Sequence, residues 1–149
     1  KYNHISFKKT KIRSVKIIYK IADESNPKMF LAIKKRAKNL LKKKHKHWEF
    51  PGGQVENKRP IKSLKNELLE EDPTGILCSA FIEALENKRP LLYKLVYLKK
   101  HKKPDLIFLS NLKKEEWIKL NSGQKKRLKN VFPFCNPCNT LQKNVFKFL

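Results

Sequence analysis

Trp48-Glu-Phe-Pro-Gly-Gly-Gln-Val-Glu56, followed by Asn66-Glu-Leu-Leu-Glu-Glu71 and Thr74-Gly-Ile76, is the stretch on which the reading of this chain turns. Pro51-Gly-Gly53 is a turn signal. Pro60 can open a helix at its first position, where its missing N–H costs nothing, and Asp72-Pro73 should close it. At about 100° per residue, Glu67, Glu70 and Glu71 fall on one arc beside a stripe of Ile61, Leu64 and Leu68. A single helix is thus expected to bury one edge and to present three carboxylates on the next. Carboxylates at i, i+3 and i+4 are oxygen donors that a hard cation such as Mg²⁺ accepts. Six of the 13 acidic residues lie between Glu49 and Asp72, while the flanks are basic.

Outward from this segment the chain becomes strongly cationic: 36 Lys and Arg against 13 Asp and Glu give a formal net charge of +23 over 149 residues. That excess cannot be neutralised internally, so a polyanionic partner is expected. Nucleic acid fits best, because each phosphate met by Lys or Arg releases counterions and adds sequence-independent affinity. The candidate RNA contacts are an N-terminal arm with Lys8, Lys9, Lys11 and Arg13, an acid-free block with Lys34, Lys35, Arg36, Lys38, Lys42, Lys43, Lys44 and Lys46, and a tip with Lys99, Lys100, Lys102 and Lys103. A membrane partner is not expected: no run approaches ~18 apolar residues, and the Lys runs lack a matching amphipathic helix.

Apolar residues at 40% suffice for one core, and the length suits one domain. We expect a basic arm over 1–14, a domain over 15–132, and a C-terminal turn with a docking helix over 133–149. Val15 to Ile21 and Met29 to Ile33 read as an antiparallel strand pair. Ile76 to Leu85 and Leu91 to Leu98 read as a strand hairpin across Glu86-Asn-Lys-Arg-Pro90, with a shorter strand over Leu106 to Leu109. Glu115 to Leu120 is expected to return to the sheet, and Ser122 to cap a helix carrying Leu128, Val131 and Phe132. The tail has Leu141, Val145, Phe148 and Leu149 at helical spacing. Strands, helix, strands and helices together predict a mixed α/β layered domain.

Three cysteines do not make a disulfide framework, so a reducing compartment is expected. Cys135-Asn-Pro-Cys138 is half a zinc site, to which His45 and His47 could add ligands; with one half alone it reads as a pair of thiols in a turn.

The Pro-Gly-Gly turn and the E-L-L-E-E helix resemble the Nudix family, whose box runs G-x5-E-x7-R-E-U-x-E-E-x-G-U, U being a bulky aliphatic residue. The lead-in from Trp48 is similar to MutT-type members. The resemblance implies an α/β/α sandwich with a mixed central sheet, Gly52 and Gly53 shaping a substrate loop, and Glu67, Glu70 and Glu71 holding Mg²⁺ for attack of water on a diphosphate, with Glu86 or Glu115 as a further ligand or base. The pattern is broken in three places. Asn66 stands where the box has its arginine, Lys58 or Arg59 where it has its first glutamate, and Asp72-Pro73 are extra. Misplacements of this kind are costly to metal catalysis. The expected function is therefore that of an RNA-binding structural component of a ribonucleoprotein, with rRNA and neighbouring subunits as partners and no required cofactor. Its composition resembles ribosomal proteins. The alternative is a Mg²⁺-dependent hydrolase of a nucleotide, a dinucleoside polyphosphate or an RNA 5′ end. A start at Lys1 agrees with a removed transit peptide and equally with an excised segment; the mitochondrion is the expected location, otherwise the cytoplasm.

Overall fold

The run Ser14-Val-Lys-Ile-Ile-Tyr-Lys-Ile21 is β-branched and aromatic, and in the computed structural model it forms the central strand β1 (Ser14–Ile21). The structure describes residues 11–22, 30–34, 48–55, 59–99, 101–123 and 128–131. The other strands are β2 (Phe30–Lys34), β3 (Trp48–Glu49), β4 (Gly52–Gln54), β5 (Leu92–Val96), β6 (Asp105–Leu112) and β7 (Leu128–Val131). Three helices accompany them: α1 (Pro60–Glu71), α2 (Ile76–Leu85) and α3 (Lys114–Gly123).

All seven strands join one sheet in the order β3-β2-β1-β6-β5, with β4 also on β1 and β7 also on β2. The sheet is mixed. β1 runs parallel to β6 in an unbroken register from Ser14↔Asp105 to Ile21↔Leu112, whereas its other edge is shared between β4 (Lys16↔Gly52) and β2 (Lys20↔Phe30), both antiparallel.

Period-two alternation assigns the faces. Val15, Ile17 and Tyr19 of β1 and Leu106, Phe108 and Leu112 of β6 lie in one cluster with Leu64 and Leu68 of α1, Leu77, Ala80, Phe81 and Leu85 of α2, and Leu120 of α3. The Phe81 and Phe108 rings sit 5.3 Å apart between centroids, tilted by 55°, a favourable aromatic arrangement that fixes α2 on the sheet. The opposite parity, Ile18 and Ile107, packs with Phe30 and Phe50.

The expected α/β layering is present, and three local expectations are corrected. Ile76–Leu85 is a helix rather than a strand, so no hairpin joins it to β5. Its buried positions, 77, 78, 80, 81, 84 and 85, follow helical spacing. Glu115 to Leu120 lies within α3, which also takes in Ser122, and Leu128–Val131 is a strand paired with β2 instead of part of a helix. At the N-terminus ordered packing begins ahead of residue 15: Ile12 is buried and Arg13 N–H donates to the Pro104 carbonyl at 2.8 Å. The docking helix expected beyond residue 132, Cys135, Cys138, His45 and His47 lie outside the described residues. Among the described residues, no helix is long and apolar enough to cross a membrane.

Candidate functional site

α1 begins with Pro60 in its first turn, buries Ser63, Leu64 and Leu68, and ends where the Asp72 N–H returns to the Leu68 carbonyl. These contacts turn Glu67 and Glu71, one helical turn apart, toward β4. The Gly52 N–H donates to Glu71 Oε1 at 3.0 Å. A Cβ added to Gly53 would fall 2.5 Å from Glu67 Cδ and 2.7 Å from its Oε1, so the Glu67 carboxylate occupies the space a side chain there would need. Gly52 is required for a different reason. Its φ of +148° is hard for other residues, and a Cβ would lie 2.1 Å from the Val15 carbonyl oxygen across the strand pair.

Glu70, the third expected metal ligand, is exposed, as is Asn66. Among the described residues no three His, Cys, Asp or Glu side chains come together as a metal-holding group. The donors have the chemistry Mg²⁺ prefers, but two of them lie against β4 glycines and the third is exposed. No catalytic step is assigned to that ion. Glu86, at the C-terminus of α2, lies 3.5 Å from Lys88, and Glu115 is exposed in the first turn of α3.

The extra pair Asp72-Pro73 has a structural use that the sequence reading missed. The fully buried Asp72 carboxylate accepts the Leu77 N–H at 2.9 Å, the Thr74 N–H at 3.1 Å and the Thr74 hydroxyl, satisfying donors at the start of α2. Gly75 follows in the left-handed region at φ +81°. Far from breaking the motif's helix idly, the insert turns the chain from α1 into α2.

A second unforeseen cluster surrounds Arg89. Its guanidinium, 3% exposed, donates to both Glu116 carboxylate oxygens at 2.6 Å and to Glu83 Oε2 at 2.9 Å. Lys113 N–H adds a bond to Glu116 at 2.9 Å. The Glu116 hydrogen bonds hold Arg89 protonated more firmly than usual, outweighing burial. Burial pushes the Glu116 carboxyl up, but the bonds from Arg89 and Lys113 and their charges bring it below its ordinary range. The bidentate geometry joins α2 and α3. Beneath it, burial raises the Tyr19 phenol well above its ordinary range, and its O–H donates to the Leu77 carbonyl at 2.7 Å. Burial also raises the Cys78 thiol, with Lys65 opposing and Asp72 adding. Neither residue is poised as a nucleophile.

Of the expected RNA contacts, Lys11, Lys99, Lys102 and Lys103 are exposed. Arg13 is bound to the buried Asp105 at 2.8 Å, and Lys34 ends β2 opposite Trp48. Lys8, Lys9, Lys35, Arg36, Lys38, Lys42, Lys43, Lys44, Lys46 and Lys100 lie outside the described residues.

No protein-family model matches the sequence, and no curated protein matches it. Among solved structures the chain is similar to a mutT/nudix family protein from Listeria innocua, at 18% identity and a TM-score of 0.51, over 81% of this chain and 76% of that one. Likeness at this identity speaks for architecture alone, and the architecture of this chain is that of the MutT/Nudix fold.

Proposed function

We propose that this chain is an RNA-bound structural component of a ribonucleoprotein, with a mitochondrial ribosomal subunit as its setting. The observation that carries the reading is the formal net charge of +23 on a 149-residue chain, which a folded surface can tolerate only with a polyanion or salt beside it. The carboxylate helix supports it from the other side. Glu67 and Glu71 are engaged with the backbone strand of Gly52 and Gly53, and Asn66 offers no positive charge to gather them. Contacts to phosphate of this kind position a protein on RNA without reading its sequence.

The hydrolase reading retains one favourable observation, the close seating of two carboxylates on a glycine strand. Its substrate would be an RNA 5′ end or a nucleotide with a diphosphate linkage. Two measurements separate these readings. Protein from native extracts should sediment with a ribosomal subunit through moderate salt, and purified protein should release no phosphate from nucleotide or capped-RNA substrates with Mg²⁺ or Mn²⁺. Turnover that disappears in Glu70→Gln, together with a free monomer in extracts, overturns the structural role.

A further inference from the structure

The topology brings together basic segments that lie far apart in the sequence. β1 and β6 are parallel and start side by side, Ser14 opposite Asp105. The segment entering β1 is hydrogen-bonded to the loop entering β6, through Arg13 N–H to Pro104 O at 2.8 Å, and to the end of β4, through Val55 N–H to Arg13 O at 3.1 Å. Glu71 bonds Gly52 and Glu67 covers Gly53, so α1 runs antiparallel to β4, which puts its N-terminus at this same end. Exposed Lys11, Arg59, Lys99, Lys102 and Lys103 therefore share one end of the sheet. Tyr97, 64% exposed, leads into the same loop.

Among the described residues, acidic side chains are sorted away from it. Asp105 is 1% exposed and is taken up by Arg13 and by the Ser14 hydroxyl. The first turn of α1 holds no acid, and its N-terminus has no side-chain cap. Glu83 and Glu116 gather around Arg89 at the opposite end, where β6 finishes and Arg89 reaches the Asn111 carbonyl at 3.4 Å. The Arg13–Asp105 pair spans 92 residues of sequence and pins the two basic segments to each other.

We propose that this end of the sheet is one continuous RNA-binding surface, in which Lys11, Arg59, Lys99, Lys102 and Lys103 meet backbone phosphates of a looped RNA and Tyr97 stacks on an unpaired base. It rests on the RNA-bound reading above and localises it. Phosphate contacts give affinity that falls steeply with salt, by about 0.9 in the log–log slope per contact. Aromatic stacking adds a contribution that salt leaves unchanged.

The test measures binding of the full chain to a fluorescent RNA hairpin with a single-stranded loop, by anisotropy from 50 to 300 mM salt, probe conditions that span roughly the range over which such contacts are lost. The triple variant Lys99→Ala, Lys102→Ala, Lys103→Ala should lose roughly tenfold or more in affinity and about 2 to 3 in slope. Lys113→Ala, Lys114→Ala, Lys119→Ala removes the same charge at and beyond the other end of β6 and should lose much less. Tyr97→Ala should bind roughly tenfold more weakly with its slope intact. Photoreactive uridines in the hairpin loop should crosslink the unsubstituted protein within residues 97–104 rather than in α3, a readout independent of any variant's folding. Equal losses in both triples, with crosslinks spread over α3, overturn this surface while leaving RNA binding standing. An unsubstituted protein that ignores the hairpin overturns both.

Discussion

The carboxylates of α1 and those around Arg89 face opposite circumstances. Glu67 and Glu71 lie along two glycines, where the Gly52 N–H donates to Glu71, and Glu70 beside them is exposed. Glu116 and Glu83 are held by a buried guanidinium, and Glu116 takes both of its nitrogens. The family resemblance implies an arginine beside the first group, and Asn66 stands there instead. The buried arginine of the described residues is found in the second group, where it joins two helices. Scaffold and candidate site thus draw on different charges, one set joining two helices and the other lying along a glycine strand.

Truncating the second group should have the largest effect. Glu116→Ala leaves Arg89 buried without its main partner, a loss of about 3–5 kcal/mol that thermal or denaturant unfolding would register. The Glu116 carboxyl is held below its ordinary value in the fold. Its contribution is accordingly complete above the unfolded carboxylate pKa of about 4.3 and is lost as pH falls through the lower folded value. The stability gap between the unsubstituted protein and Glu116→Ala should be constant near neutrality and close in acid. A gap that persists in strong acid would mean that packing, and not ionisation, carries it.

Gly52→Ala comes next. It forces a methyl group against the Val15 carbonyl at an unfavourable φ, and should cost about 3 kcal/mol, part of it backbone strain. A small effect would show that β4 can shift along β1, and that the seat of Glu71 is adjustable. The smallest effect belongs to Glu70→Ala. With the side chain exposed, stability should move by no more than about 0.5 kcal/mol. A larger loss would give Glu70 a structural task and erase the contrast between the two groups.

Local chemistry made α1 legible: Pro60 opens it and Asp72-Pro73 closes it, whatever packs nearby. The antiparallel pairing of β1 with β2 was legible too, from β-branched runs separated by a turn. Ile76-Leu-Cys-Ser-Ala-Phe-Ile-Glu-Ala-Leu85 misled because its apolar residues leave neither period dominant. Asp72 accepting the Leu77 N–H was the available sign of a helix start, and it was hidden by reading Asp72-Pro73 only as an interruption. The site was half legible. The spacing of Glu67 and Glu71 follows from the helix, but the turning of both onto glycine backbone depends on β4 pairing with β1, a contact between distant segments. Arg89 gave no signal in a turn-like Asn87-Lys-Arg-Pro90, since its partners come from two helices that sequence reading had made strands.

The eight-residue parallel pairing of β1 with β6 also bears on how the chain is made. β1 leaves the ribosome long before its partner, since the residues that pair with Ser14–Ile21 end at Leu112. Contacts of such sequence separation form slowly. Until then the nascent chain carries an apolar strand with one edge unfilled, flanked by lysines that discourage edge-to-edge association with other copies. The same positive charge on which the proposed RNA surface rests would discourage association between unfinished chains during synthesis.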